Sequence, residues 1–154
     1  MTFKYNKTAA WEIILLCLRI WLGYRMITAS YSSVTGILFD VKQREFFIKW
    51  FGGELHFPFP LQMAFLAKGA ELLGGILVLG GLFTRYAAFL IFFTMFIATV
   101  TANLGQDFNI DGGFTISYTL FAVVLMFWGG GKYSLDRLFR RKTSTVAVKE
   151  AALV

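Results

Sequence analysis

Four stretches of the chain, at about 11–34, 59–83, 86–104 and 112–130, are nearly unbroken runs of apolar residues. Each is close to the ~20 residues an α-helix needs to cross a hydrocarbon core, so the pattern predicts four transmembrane helices. None repeats another. Between the first two lies DVKQREFFIKWF, residues 40–51, where Phe47, Trp50 and Phe51 recur at helical spacing beside charged positions. Such a segment is expected to form a short helix lying in a headgroup layer. The Gly-Gly and Pro-Phe-Pro that follow would end it and turn the chain inward. Near the other end Ser134 is an expected N-cap with Asp136 in the first turn. Leu135, Leu138 and Phe139 stand opposite Arg137, Arg140 and Arg141 there, the pattern of a surface anchor.

Charge orients the four spans. Lys4 and Lys7 precede the first, Arg85 separates the second from the third, and Lys132, Arg137, Arg140, Arg141, Lys142 and Lys149 follow the fourth. Residues 105–111 carry only Asp107 and Asp111, while 39–58 balances Lys42, Arg44 and Lys49 against Asp40, Glu45 and Glu54. Cytoplasmic loops hold the excess of Lys and Arg, which places both termini on that side. The expected fold is all-α: a membrane-embedded four-helix bundle, one domain over residues 1–154 with a basic cytoplasmic tail at 131–154. The first run follows two lysines as a signal peptide would, but Arg19 interrupts it and no good cleavage site follows, so it reads as a retained span.

Composition agrees. Hydrophobic residues make up 57% of the chain and charged residues 16%, against ~45–50% and ~25% in soluble domains. The net charge of +6 raises nucleic acid as a partner, but the basic residues gather at the chain ends and beside apolar runs. Anionic lipid headgroups are the better counter-charge, so membrane lipids are expected as partners and nucleic acid is not. Cys17 is the sole cysteine, which excludes a disulfide, a C-x-x-C redox pair and a cysteine zinc site. His56 has no second ligand type at metal spacing. Asp107, Asn109, Asp111 and Gly112 match the first half of a calcium loop, but the twelfth position is Tyr118 rather than glutamate. No metal site and no catalytic residue emerges, and no redox cofactor is evident.

The candidate chemistry lies inside the spans. Arg19 and Arg25 interrupt the first, and Lys68 and Glu71 the second; ionisable groups at such depth are costly and point to function by default. With the outer helix ends set near residues 33 and 60, Arg25 and Lys68 lie roughly 12 Å deep, Glu71 roughly 16 Å and Arg19 roughly 21 Å. Arg19 shares a helix face with Gly23, Met26 and Ser30, whereas Arg25 is turned roughly 120° away. Lys68, Glu71, Leu72 and Gly75 form one face of the second helix, and Ala70 with Gly74 offers a close-contact seam. Arg19 and Glu71 are the expected ion pair. Arg25 and Lys68 would then remain in excess, and an anionic group from outside would balance them. Thr94, Ala98, Thr101 and Gly105, with Asn103 near the outer end, and Thr115, Ser117 and Tyr118 of the fourth helix are expected to line a polar cavity.

Leu18-Arg19 with Leu22-Gly23, Ala70-Glu71-Leu72-Leu73-Gly74-Gly75 leading to Gly80 and Thr84-Arg85, and Gly129-Gly130-Gly131-Lys132-Tyr133-Ser134-Leu135-Asp136 together resemble the DoxX family of small four-helix membrane proteins. The likeness runs from about residue 15 to 139. Met26, Ser30 and Ser33 stand where family members usually carry a phenylalanine, a glycine and a lysine; Asn103 stands where a histidine is often seen, and Arg25 is extra. The resemblance implies a multi-pass protein of a bacterial inner membrane, associated with redox complexes: relatives include a subunit of a thiosulfate:quinone oxidoreductase and a membrane partner of thiol and superoxide defence proteins.

Three functions follow. In the first, the chain is a subunit of a quinone-linked oxidoreductase complex, with a charged pocket built around Arg19, Arg25, Lys68, Glu71 and Asn103 that holds an oxyanion or a quinone head. In the second, it is a non-catalytic scaffold among other protein subunits, and the charges only pin helices together. In the third, it is a small-molecule or lipid-binding transporter, against which stands the lack of an internal repeat or broken helix.

Overall fold

The computed structural model describes residues 7–103 and 110–137, without the side chains of 7–9, 54, 101–103 and 110–113. The described residues form helices and turns, with no strand: α1 (Lys7–Phe39), α2 (Val41–Lys49), a π-helical turn (Trp50–Glu54), α3 (Pro60–Gly80), α4 (Thr84–Asn103) and α5 (Ile110–Trp128). Asp107 and Asn109 of the rejected calcium-loop match lie outside the described residues, as does the C-terminal anchor beyond residue 137, while Asp111 and Gly112 fall in the first turn of α5.

The long helices α1, α3, α4 and α5 lie side by side, α1 on α3, α3 on α4 and α4 on α5. The stretches Ala10–Phe39 and Pro60–Gly80 are each long and apolar enough to cross a membrane; Thr84–Val100 and Phe114–Trp128 are shorter apolar helices. Their outward surfaces carry Ile13, Leu66, Leu73, Phe93, Leu120 and Phe127, all exposed. Apolar surface of that extent needs an apolar exterior. The interior is closed by Leu22, Met26, Val78, Ile91, Ala122 and Leu125.

Glycine sets how closely the helices approach. A β-carbon on Gly23 would lie 2.8 Å from Leu79 Cβ, and one on Gly75 2.9 Å from Met26 Cβ, so α1 and α3 meet backbone to backbone. Gly74 faces the other way, toward Ile91 and the Ala87 carbonyl of α4. The close seam of α3 is therefore Gly75 toward α1 and Gly74 toward α4, not the Ala70–Gly74 pair that sequence spacing offered.

At the end of the bundle where α1 finishes, here the cap end, α1 runs to Phe39, several residues past its expected limit. The Arg44 side chain folds back, donating from Nε to the Ile37 carbonyl (3.0 Å) and from Nη2 to the Leu38 carbonyl (2.9 Å). A cation on carbonyls that lack an intrahelical partner suits a helix C-terminus. Asp40 then starts α2 by accepting from the Lys42 N–H at 2.9 Å. Phe47 and Phe51 turn inward onto Ile37 and Ala64, so the amphipathic segment caps the bundle as expected.

The opposite end, where α1 begins, α3 turns into α4 and α5 finishes, is the tail end. The α3–α4 turn is a Schellman motif: Leu82 N–H donates to the Leu77 carbonyl (2.9 Å), and Gly81, left-handed at φ 69°, donates to Val78 (3.1 Å). Residues 129–137 cross this end. Asp136 does not serve its own helical turn, as its spacing after Ser134 suggested. Its carboxylate accepts from the N–H groups of Phe83 (2.7 Å) and Thr84 (3.0 Å), capping the start of α4 from a distant part of the chain. Ser134 donates to the Gly131 carbonyl at 2.9 Å instead of capping.

Candidate functional site

The helical faces read from spacing are those observed: Arg19, Gly23, Met26 and Ser30 are all buried, while Arg25 is exposed. The partners are not those expected. Setting residues 33 and 60 level places Ser30 beside Met63. Ser30 instead donates to Glu71 Oε2 at 2.9 Å, about eight residues or ~12 Å further along α3. The shift arises because α1 continues to Phe39 and α2 occupies the space above.

Glu71 is therefore paired with Lys68, one turn earlier in α3, at 2.9 Å. The same carboxylate oxygen receives the Ser30 hydroxyl and the Lys68 ammonium. Arg19 lies ~16 Å along α1 from Ser30, at the tail end. Its Nη1 donates to the Gly130 carbonyl at 2.7 Å, and the guanidinium reaches the carbonyls of Leu79 and Tyr133 at 3.4 Å. The Leu79 carbonyl belongs to the last turn of α3, so the buried cation faces the negative end of that helix as well as the segment after α5. Arg25 occupies a third place: its Nε donates to the Tyr118 hydroxyl at 3.1 Å, between α1 and α5. The four charges thus occupy three sites, and Asn103 has no described side chain.

Lys68 and Glu71 border a cavity of about 320 Å³ between α3 and α4. Gly74 holds those helices together near Ala87 and Ile91. Toward the cap end the cavity lies between them, walled by Leu66 and Ala70 of α3 and Phe93 and Ala98 of α4, with Phe51 and Phe57 of the capping segment above. Leu66 and Phe93 are also exposed on the outer flank, so the cavity borders the apolar exterior. Thr94 is on the wall but returns its hydroxyl proton to the Leu90 and Ile91 carbonyls of its own helix. Tyr118, expected beside it, faces Arg25 and Trp21 instead. Of the expected polar lining, Thr94 and Ala98 border this largely apolar cavity with its single ion pair, while the Thr101 side chain and Gly105 lie outside the described residues.

Such a site suits a hydrophobic molecule with one polar end. The volume is at the low end of ligand pockets, ~300–1,000 Å³, enough for the head of an amphiphile. Lys68 keeps further N–H donors beyond the one directed at Glu71, and Glu71 neutralises it, which favours a neutral acceptor over a free anion. Among the described residues no three His, Cys, Asp or Glu side chains could together hold a metal ion.

A family model described as DoxX matches residues 14–104 of this chain, more than half of it, including the Lys68–Glu71 pair and both cavity helices. The match ends before Gly129–Asp136. No curated protein and no solved structure matches the chain.

Proposed function

Because the chain belongs to the DoxX family of membrane proteins, we propose that it is a small inner-membrane subunit of a quinone-linked oxidoreductase complex. Its four long helices cross the bilayer as one bundle, with both termini cytoplasmic. Its cavity takes a quinone head, with one carbonyl accepting from Lys68 and the isoprenoid tail leaving past Leu66 and Phe93 into lipid. The observation that carries this reading is an apolar cavity of about 320 Å³ whose wall holds the buried Glu71 paired with a partly buried Lys68. The chain's part is to bind and orient; electrons come from and go to partner subunits. The test is mild-detergent purification from native membranes, with mass spectrometry of bound proteins and small molecules. A stoichiometric quinone that Glu71→Gln removes supports the reading; a protein partner retained by both forms, with no small ligand in either, opposes it.

A scaffold without ligand is the second reading, favoured by Arg19. That residue is spent on backbone carbonyls, tying α1 to α3 and to the segment after α5, which is work inside the fold. Replacing the Lys68–Glu71 pair by leucines would then leave assembly and activity of the complex intact.

A further inference from the structure

Arg25 stands fourteen residues from Trp11 and fourteen from Phe39 on α1, ~21 Å from each at 1.5 Å per residue. Those two aromatics bound a length close to that of a bilayer with its headgroups, ~40–45 Å. The guanidinium is thus deep within the span, yet it is exposed, and its only partner among the described residues is Tyr118 Oη on Nε. No bond from Nη1 or Nη2 to a described residue accompanies it. A cation presented to hydrocarbon at that depth is strongly unfavourable.

The surrounding face is equally unlike a lipid-facing one. Arg25, Thr28, Ala29 and Ser32 recur at helical spacing and are all exposed. Small residues of this kind let a neighbouring helix approach closely. Beside them α1 and α5 meet through large side chains, Trp21 on Tyr118 and Phe121 at 5.5 Å, and Trp11 on Trp128 at 5.6 Å. Arg25 is exposed at this seam, bonded to Tyr118 of α5.

We propose that this α1–α5 face docks a transmembrane helix of another protein, carrying an aspartate or glutamate at mid-depth that pairs with the Arg25 guanidinium. The chemistry selects this occupant. A carboxylate takes two parallel N–H bonds from the free fork. A second copy does not offer one at mid-depth: among the described acidic side chains, Glu12 accepts from Lys132 N–H, Asp136 caps α4, Glu71 is paired inside, and Asp40 and Glu45 lie at the cap end. A lipid phosphate is level with the ends of α1, and the Nε bond to Tyr118 directs the side chain across the bundle rather than along it. This inference rests on the membrane-spanning reading of α1 and is independent of the quinone reading.

The test places a photocrosslinking residue at Thr28 in the tagged protein, in native membranes, with Arg25 unchanged or replaced by Leu or Lys. Carbonate extraction first checks that each form is integral, which separates failure of the spanning reading from failure of this one. The expected product is a discrete adduct with one membrane protein, mapped to a spanning segment that contains an acidic residue. Arg25→Leu should lower its yield roughly tenfold, Arg25→Lys much less, and neutralising the partner's acid alongside Arg25→Leu should recover part of the loss. Thermal melts in detergent verify that the Leu variant stays folded. Adducts with phospholipid alone, with a second copy alone, or with a yield indifferent to Arg25 would overturn the proposal.

Discussion

A β-carbon on Gly81 would lie 2.6 Å from Arg19 Cζ. The guanidinium fills the space that only glycine leaves, and Gly81 is also left-handed at φ 69°. Gly81→Ala should therefore destabilise by about 3 kcal/mol, combining left-handed backbone strain with overpacking. Gly69, with nothing within 4 Å of its would-be β-carbon, is the control: Gly69→Ala should be neutral or stabilise by up to ~1 kcal/mol. Reversible unfolding in mixed micelles measures both.

Asp136 joins the segment after α5 to the start of α4. Asp136→Ala removes acceptors from two backbone N–H groups, one of them on Phe83, which is held at a positive φ of 46°. A loss of about 1–2 kcal/mol is expected, the range for a helix N-cap. Limited proteolysis should cut near residues 129–137 faster in the variant than in the parent protein.

The Lys68–Glu71 pair gives a double-mutant cycle. Lys68→Leu strands a buried carboxylate whose remaining described partner is Ser30, and Glu71→Leu strands the ammonium. Each single change should cost about 3 kcal/mol, and the double change should cost less than either one. Additive losses in a micelle unfolding assay would show that the two groups are not coupled.

Filling the cavity should separate binding from folding. Ala98→Phe projects a ring from α4 into the cavity. Bound ligand should fall at least tenfold while the melting temperature stays within a few degrees, because the ring enters the cavity and not the packed core. A parallel fall in both would mean that α3 and α4 already close tightly there.

The four apolar runs and the amphipathic capping segment were legible because length and periodicity are local properties. That Arg19 and Arg25 stand on different faces of α1 was legible for the same reason: 100° per residue fixes a face without knowledge of a neighbour. The partners were not, because pairing across α1 and α3 depends on axial register. Arg44 and Asp40 extend α1 and start α2 at the cap end, and that shift of ~12 Å moves Glu71 from Arg19 to Ser30. Arg19 on carbonyls and Asp136 on the N–H groups of Phe83 and Thr84 are contacts between a side chain and distant backbone, which residue types at a spacing do not record. The glycines were the available signal: Gly81 and Gly130 leave room beside Arg19, and Gly130 belongs to a segment that carried the family likeness.

The most direct test of a quinone-binding cavity between α3 and α4 is photolabelling of the purified protein with an azidoquinone, followed by peptide mapping. Label is expected within residues 63–71 and 90–98, displaced by excess quinone and lowered at least tenfold in Ala98→Phe. Label spread along the outer surfaces of α1 and α5, indifferent both to competitor and to that substitution, would contradict it.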